Sequence, residues 1–138
     1  WKTRNETGPL PYIIEQFRWN KWISVGQVDG LGLPGVHSYS APVRFHAGEN
    51  RFRVRQTDSR KVNRYSAELV YNSSADPVSF AVTSGGSSIE FSSPTMYELY
   101  DAYGRIIVKG YGKTLKIEEL AKGSYYLNFD NTMETFRR

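Results

Sequence analysis

The residues able to carry chemistry are few and poorly grouped. The two histidines, His37 and His46, fall at opposite ends of one expected strand. Nine residues at strand rise put them roughly 30 Å apart, too far to share a metal or act as acid and base on one substrate. His46 alternates with Arg44 and is expected to face solvent, whereas His37 follows a Pro-Gly turn. The absence of Cys excludes thiol catalysis, Cys-ligated zinc and disulfides. Glu118 and Glu119 are adjacent, so their carboxylates diverge. The Gly85-Gly86-Ser87-Ser88 run has no helix behind it to receive a phosphate. There is no Gly-x-Ser-x-Gly elbow, and neither "DAYG" nor "DNT" has the spacing of a calcium loop. The expectation is a non-enzyme with no catalytic residues, metal or cofactor.

Binding chemistry is better represented. Arg51, Arg53 and Arg55 alternate with Phe52, Val54 and Gln56, so period 2 puts the three arginines on one strand face. Arg60, Lys61 and Arg64 adjoin them; six of the 18 basic residues thus lie within 14 positions. One reading is an anion-binding face for phosphate or carboxylate groups of a glycan, a lipid or an acidic partner. The other is a solvated strand face paired with neighbours such as Glu15 or Glu68. Nucleic acid is not expected as a partner, because exposed stacking aromatics are not expected to interleave with the basic residues and no nucleic-acid motif is present. Among the aromatics, Tyr12 and Trp22 read as core. Trp19, in "FRWNKW", reads as a hairpin-turn residue with a claim to exposure and ligand binding.

The elements that must position these residues are strands. Apolar residues alternate or cluster in runs of four to eight bounded by Gly, Pro, Asn, Asp and Ser, the pattern of an all-β chain. Strands are expected near 1–6, 11–17, 21–28, 37–46, 50–57 and 64–71. A second set follows near 78–83, 87–92, 95–100, 105–109, 114–117, 123–129 and 132–137. A short helical turn near Ile117–Ala121 is the one exception. Charge is uneven: before Asp76 there are 11 Lys/Arg against 6 Asp/Glu, and from Asp76 onward 7 against 8. That asymmetry, with the small polar run Asn72–Pro77, divides the chain into two small immunoglobulin/fibronectin-like β-sandwiches in tandem. Their expected extents are 1–71 and 78–138, with a linker over 72–77.

Two resemblances attach to these halves. Residues 1–71 resemble a fibronectin type III-like sandwich through Trp1, Thr3 and Glu6, then Tyr12, Ile14 and Glu15, then Trp22, Ile23, Gly26 and Val28. Arg53, Gln56, Asp58, Tyr65 and Ser66 match its closing hairpin. The strand that would precede Trp1 is missing, which raises strand exchange into an oligomer as an expectation. In the second half, "YELYDAYGRIIVKG" and then "LAKGSYY" resemble the C-terminal sorting domain of the type IX secretion system of Bacteroidota. The motif falls on Tyr100, Asp101, Gly104 and Arg105, then Leu120, Lys122, Gly123 and Tyr125, then Arg137 and Arg138. The family's usual Pro-Asn-Pro opening is absent, with "SADPVSF" in its place.

The resemblance implies a seven-stranded small sandwich that acts as an export signal, with localisation at the outer membrane and cell surface. It also implies partners: the secretion machinery, including its sortase and outer-membrane shuttle, and anionic lipopolysaccharide. A single fibronectin-like unit ahead of the signal further resembles cargo that reports secretion status to a sensor kinase. Cleavage would fall at Asn72, Ser73, Ser74 or Ala75. The competing expectation is a surface adhesin or a glycan- or anion-binding module that uses the arginine face and Trp19.

Overall fold

The computed structural model describes residues 1–138, with no helix and twelve strands. The fold is all-β, as the alternation requires. It divides into two compact units: Trp1–Phe45 with Glu49–Asn72, and His46–Gly48 with Ser73–Arg138. The second unit therefore takes three residues from inside the first half of the sequence.

In the first unit, β2 (Pro11–Arg18) lies between β3 (Lys21–Asp29) and β5 (Gly48–Thr57). The short β6 (Asn63–Tyr65) and β7 (Leu69–Ser73) both pair with β5. A separate two-stranded ribbon joins β1 (Lys2–Arg4) to β4 (Val36–Ser38). The expected strand over 64–71 is broken at residues 66–68. There the Ser66 hydroxyl accepts a hydrogen bond from Val54 N at 2.8 Å, in place of a ladder carbonyl. The expected strand over 37–46 stops at Ser38. Pro42 removes a ladder donor, and the Arg44 carbonyl accepts from the Gln16 amide at 3.1 Å rather than from a strand neighbour.

Tyr12, Ile14 and Phe52 face inward and are buried, but the interior of this unit is partly polar. Gln16 and Asn50, both fully buried, bond to each other at 3.0 Å. Arg18 donates through Nε to Gln16 Oε1 at 2.8 Å. This closed polar chain lets three polar side chains sit inside, where an unpaired one costs about 1–3 kcal/mol.

The second unit contains β8 (Phe80–Val82), β9 (Ser88–Tyr100), β10 (Ile106–Lys116), β11 (Ser124–Phe129) and β12 (Thr132–Arg137) in one hydrogen-bonded sheet. The sheet folds over on itself. Phe91 and Tyr97 are on the same strand, six residues and about 20 Å apart if β9 were straight, yet their rings stack 5.7 Å apart. The pairing of β9 with β10 is interrupted between Gly112 and Thr114 opposite the stretch Phe91–Pro94, where the bend falls. Ser88–Phe91 then pair with β8 on one side and Thr114–Lys116 on the other. Tyr97–Tyr100 pair with β10 and with β11.

The sequence pattern predicts a break in β9 at Pro94 and in β10 over residues 110–113. Each is instead one strand bent between layers, so the expected seven segments become five strands. Ile89, Phe91, Leu99, Leu115, Ile117, Leu127 and Phe129 fill the core between the layers. The alternation that put Tyr125, Leu127 and Phe129 on one face holds, since all three are buried. Leu99 stands opposite Val108 rather than Ile106 or Ile107, because an irregularity between Ile106 and Val108 shifts the register. Residues 117–120 form a single turn closed by Leu120 N to the Ile117 carbonyl at 3.1 Å, not a helix.

Glu6 shows what ties the loops of the first unit down. Its carboxylate accepts from Tyr39 Oη at 2.6 Å, Thr3 Oγ1 at 2.7 Å and Gly32 N at 3.3 Å. It thereby secures β1 and the exposed "GLGLPG" loop. Burial pushes its pKa up, but hydrogen bonds from Tyr39, Thr3, Gly32 and Tyr12 outweigh that and hold it at about 2, against an ordinary 4.5. Because the folded value is depressed, the stabilisation is complete above the unfolded pKa and disappears as pH falls toward 2. Glu6→Gln is therefore expected to lower the thermal midpoint at pH 6. The gap from wild type should close between about pH 4.5 and 2; a gap constant across that window would refute the assignment.

Candidate recognition site

The arginine stripe is where alternation put it, on the outer face of β5, but its charges are already engaged. Arg51 makes a bidentate pair with Glu68, Nε to Oε2 at 3.1 Å and Nη2 to Oε1 at 2.9 Å. Arg53 and Arg55 both reach Glu15, at 2.8 and 3.3 Å. These are the partners that a paired strand face requires. The aromatics are interleaved after all. The Arg53 guanidinium carbon sits 4.1 Å from the ring centres of both Trp22 and Tyr65, and Arg51 lies 4.9 Å from that of Phe17. Trp22 is thus a half-buried plate under two arginines, not a core residue. Stacked and ion-paired guanidiniums have few donors left for a ligand. The basic side chains that stay exposed are Arg60, Lys61 and Arg64. Arg60 and Arg64 flank a shallow groove with Gly8, Gln56 and Ser59.

Trp19 offers no sugar platform. It occupies the β2–β3 turn with φ of 52°, followed by Asn20 at 61°. Both positive values suit a two-residue hairpin turn. The ring folds inward beside Arg18 and is 7 % exposed. His46 is likewise buried, at 5 % exposure, against the expectation of a solvent-facing side chain. With β4 ending at Ser38, the two histidines do not share a strand, and His37 bonds instead to the Leu33 and Pro34 carbonyls. No group of three His, Asp or Glu side chains is placed to hold a metal ion.

An apolar trough opens on the inner face of the first unit, about 600 Å³ in volume, between Ile14, Phe52 and Val54 below and Val43, Leu69 and Tyr71 at its sides. The signal for it lay in the run Leu69-Val70-Tyr71, in which successive residues all stay exposed on a strand at the margin of the sheet.

The sorting-motif residues come together at one end of the second unit. Tyr100 is the register partner of both Ile106 and Tyr126. The turn Asp101–Arg105 therefore emerges beside the start of β11, where Leu120, Lys122, Gly123 and Tyr125 lie. Asp101 builds the first turn: its carboxylate accepts from Tyr103 N at 2.9 Å, Arg105 N at 3.0 Å and Arg105 Nε at 3.1 Å. The Arg105 amide foremost, and the Tyr103 amide after it, hold the Asp101 carboxyl below the usual carboxylate range against the opposing effect of burial. Gly104 takes φ of 79°, and its N–H closes the turn on the Asp101 carbonyl at 3.0 Å.

The second motif is held by the chain's final residue. The Arg138 guanidinium donates to the Leu120 carbonyl at 2.6 Å, Glu118 at 2.9 Å and Gly86 at 3.1 Å. Its backbone exchanges two bonds with Gly123, which has φ of 153°. Tyr125 Oη reaches the Ala121 carbonyl. Arg138 is thus a structural tie, while Arg137 points outward. Around the Asp101 turn Tyr103 is 85 % exposed, Ile106, Ile107 and Tyr126 are close to half exposed, and the Arg105 side chain stays largely exposed although its Nε is paired with Asp101. Asn72 and Ser73, expected in the linker, belong to β7; Ser74 to Pro77 are exposed and outside any strand.

Comparison of the chain with protein-family models, curated proteins and solved structures gives no match.

The first unit repeats the Asp101 turn. Asp58 Oδ1 accepts from Arg60 N at 2.8 Å and Val62 N at 3.0 Å, and Lys61 N bonds to the Asp58 carbonyl at 2.9 Å. Lys61 has φ of 63°, where Gly104 has its left-handed glycine. An Asp-led turn whose fourth residue is left-handed is thus a folding device in both places, with Gly104 in that position in one and Lys61 in the other. Gly104→Ala should lose about 1–2 kcal/mol, while Lys61→Gly should gain up to about 1 kcal/mol, since a side chain in the left-handed region costs that order. Denaturant melts check both, and a neutral Gly104→Ala would overturn the common design.

Proposed function

We propose that the second unit is a type IX secretion sorting domain, and that the chain is part of a cargo sent to the outer membrane and cell surface. On this reading the first unit is a spacer or protein-interaction module, and the whole resembles the PorA type of cargo, which signals to a sensor kinase. The observation that carries the proposal is the convergence of two motifs at one end of one sheet. Tyr100-Asp101-x-x-Gly104-Arg105 and Leu120-x-Lys122-Gly123-x-Tyr125 are separate in sequence, yet the pairing of Tyr100 with Tyr126 makes them neighbours. The Asp, Gly and buried Tyr of these motifs build turns. The readable surface is then the side chains that those turns hold up, namely Tyr103, Ile106, Ile107, Lys122 and Tyr126. They present a mixed apolar and basic patch to the secretion machinery.

The adhesin reading loses its aromatic anchor with Trp19 buried. Its anion-binding face narrows to Arg60, Lys61 and Arg64.

Deleting Lys122–Arg138 would remove β11, β12 and half the core, so loss of export from that truncation would not separate signalling from folding. Surface substitutions do. Tyr103→Ala combined with Ile106→Ser should leave the thermal midpoint within a few degrees of wild type. In a Bacteroidota host with the secretion system, the protein should accumulate in the periplasm and fall at least severalfold at the surface. Tyr111→Ala, placed one strand-length away on β10, should export normally. Undiminished surface display of the double variant would refute the assignment of this end as the signal.

A further inference from the structure

The β11–β12 turn is two residues long, Asp130-Asn131, and Asp130 is 3 % exposed with φ of 49°. A buried carboxylate needs donors for both oxygens. Oδ1 accepts from Ala47 N at 2.9 Å and Oδ2 from Val78 N at 3.1 Å. The Asp130 backbone N–H is taken in turn by Thr95 Oγ1 at 2.9 Å. Beside it, Asn131 Nδ2 donates to the Ala47 carbonyl at 2.8 Å.

Asp130 and Asn131 thus bind both main-chain groups of one residue, as a strand partner would, but with side chains. The other donor to that carbonyl is His46 Nδ1 at 2.7 Å, which must carry its proton there because a carbonyl only accepts. Ala47 itself is 4 % exposed. Gly48 follows it with φ of 79°, a left-handed conformation that favours glycine. The notch therefore recognises a small residue followed by glycine and reads its backbone.

We infer that Asp130 and Asn131 form a main-chain-binding notch, and that the loop His46–Gly48 is its ligand in cis, so the second unit is completed non-covalently by a piece of the upstream chain. Cutting the chain between Ser74 and Pro77 leaves that piece on one fragment and the notch on the other. The fragments then stay associated. The biological consequence, a signal unit retained by its passenger after processing in the linker, rests on the sorting reading; the notch does not.

The test uses the full chain with a specific protease site in place of Ser74–Pro77, cut after folding and chromatographed by size under native conditions. The two fragments are expected to co-elute at the mass of the intact chain. Asp130→Asn keeps one acceptor oxygen and sets an amide donor against the other backbone donor, and should weaken the association at least tenfold. Asn131→Ala removes one hydrogen bond and should weaken it about fivefold, measured by dilution. Asn131 is exposed, so its variant remains informative should Asp130→Asn fail to fold. Separation of the wild-type fragments overturns the inference, and so does co-elution that neither substitution weakens. Export plays no part in this measurement, so its failure is distinct from failure of the sorting proposal.

Discussion

The bend in β9 is the constraint on which the second unit depends. A strand of thirteen residues that stayed straight would leave Ile89 and Phe91 with nothing to cover them. Folding it over brings Phe91 against Tyr97 and Phe129, and the same movement carries β10 with it through their shared ladder. One sheet thereby supplies both layers of its own sandwich. Pro94 lies in the gap of that ladder and Gly112 borders it, while Gly110 leaves room for the Tyr97 side chain, whose hydroxyl would stand 2.8 Å from a Cβ there. The core inside that fold in turn fixes the two turns where the motifs meet. Turn building and outward display are therefore divided among different side chains: Asp101, Gly104, Gly123, Tyr125 and Arg138 build the two turns, and the residues between them face outward.

This division bears on how motif resemblance is to be weighed. The Asp58 turn in the first unit has the same main-chain hydrogen bonds as the Asp101 turn and belongs to no sorting motif. What distinguishes the second turn is its neighbour across the sheet, not its own sequence. The same holds for the arginine stripe, in which the spacing is real but Glu15, Glu68, Trp22 and Tyr65 engage the charges. A basic run in a strand is informative about a face only once the cross-strand partners of that face are known.

Much of the architecture was legible because period-2 alternation is a local property. The arginine face of β5, the inward row Tyr125, Leu127 and Phe129, and most hairpins were readable from it. The failures share one cause, which is distance along the chain. Pro94 reads as a breaker unless the strand is known to bend there. Trp19 reads as an exposed turn residue unless the interior that accepts it is known. His46 reads as solvent-facing because alternation with Arg44 presumes a strand that Pro42 and the Gln16 side chain prevent. Asp130-Asn131 reads as ordinary turn chemistry, and Ala47, the residue that occupies its carboxylate, lies 83 positions away. No window of sequence contains both.

That separation also carries a cost in chain entropy. Val78 must close a loop of 52 residues to reach Asp130, and Ala47 one of 83. By the logarithmic dependence of loop closure on length, the longer closure costs about 4 kcal/mol. The edge of the second unit in space is therefore not its edge in sequence: a segment cut from residue 73 onward lacks the Ala47 N–H that the Asp130 carboxylate accepts. A substitution that displaces His46–Gly48 is then a lesion of the second unit, although it lies in the first half of the chain.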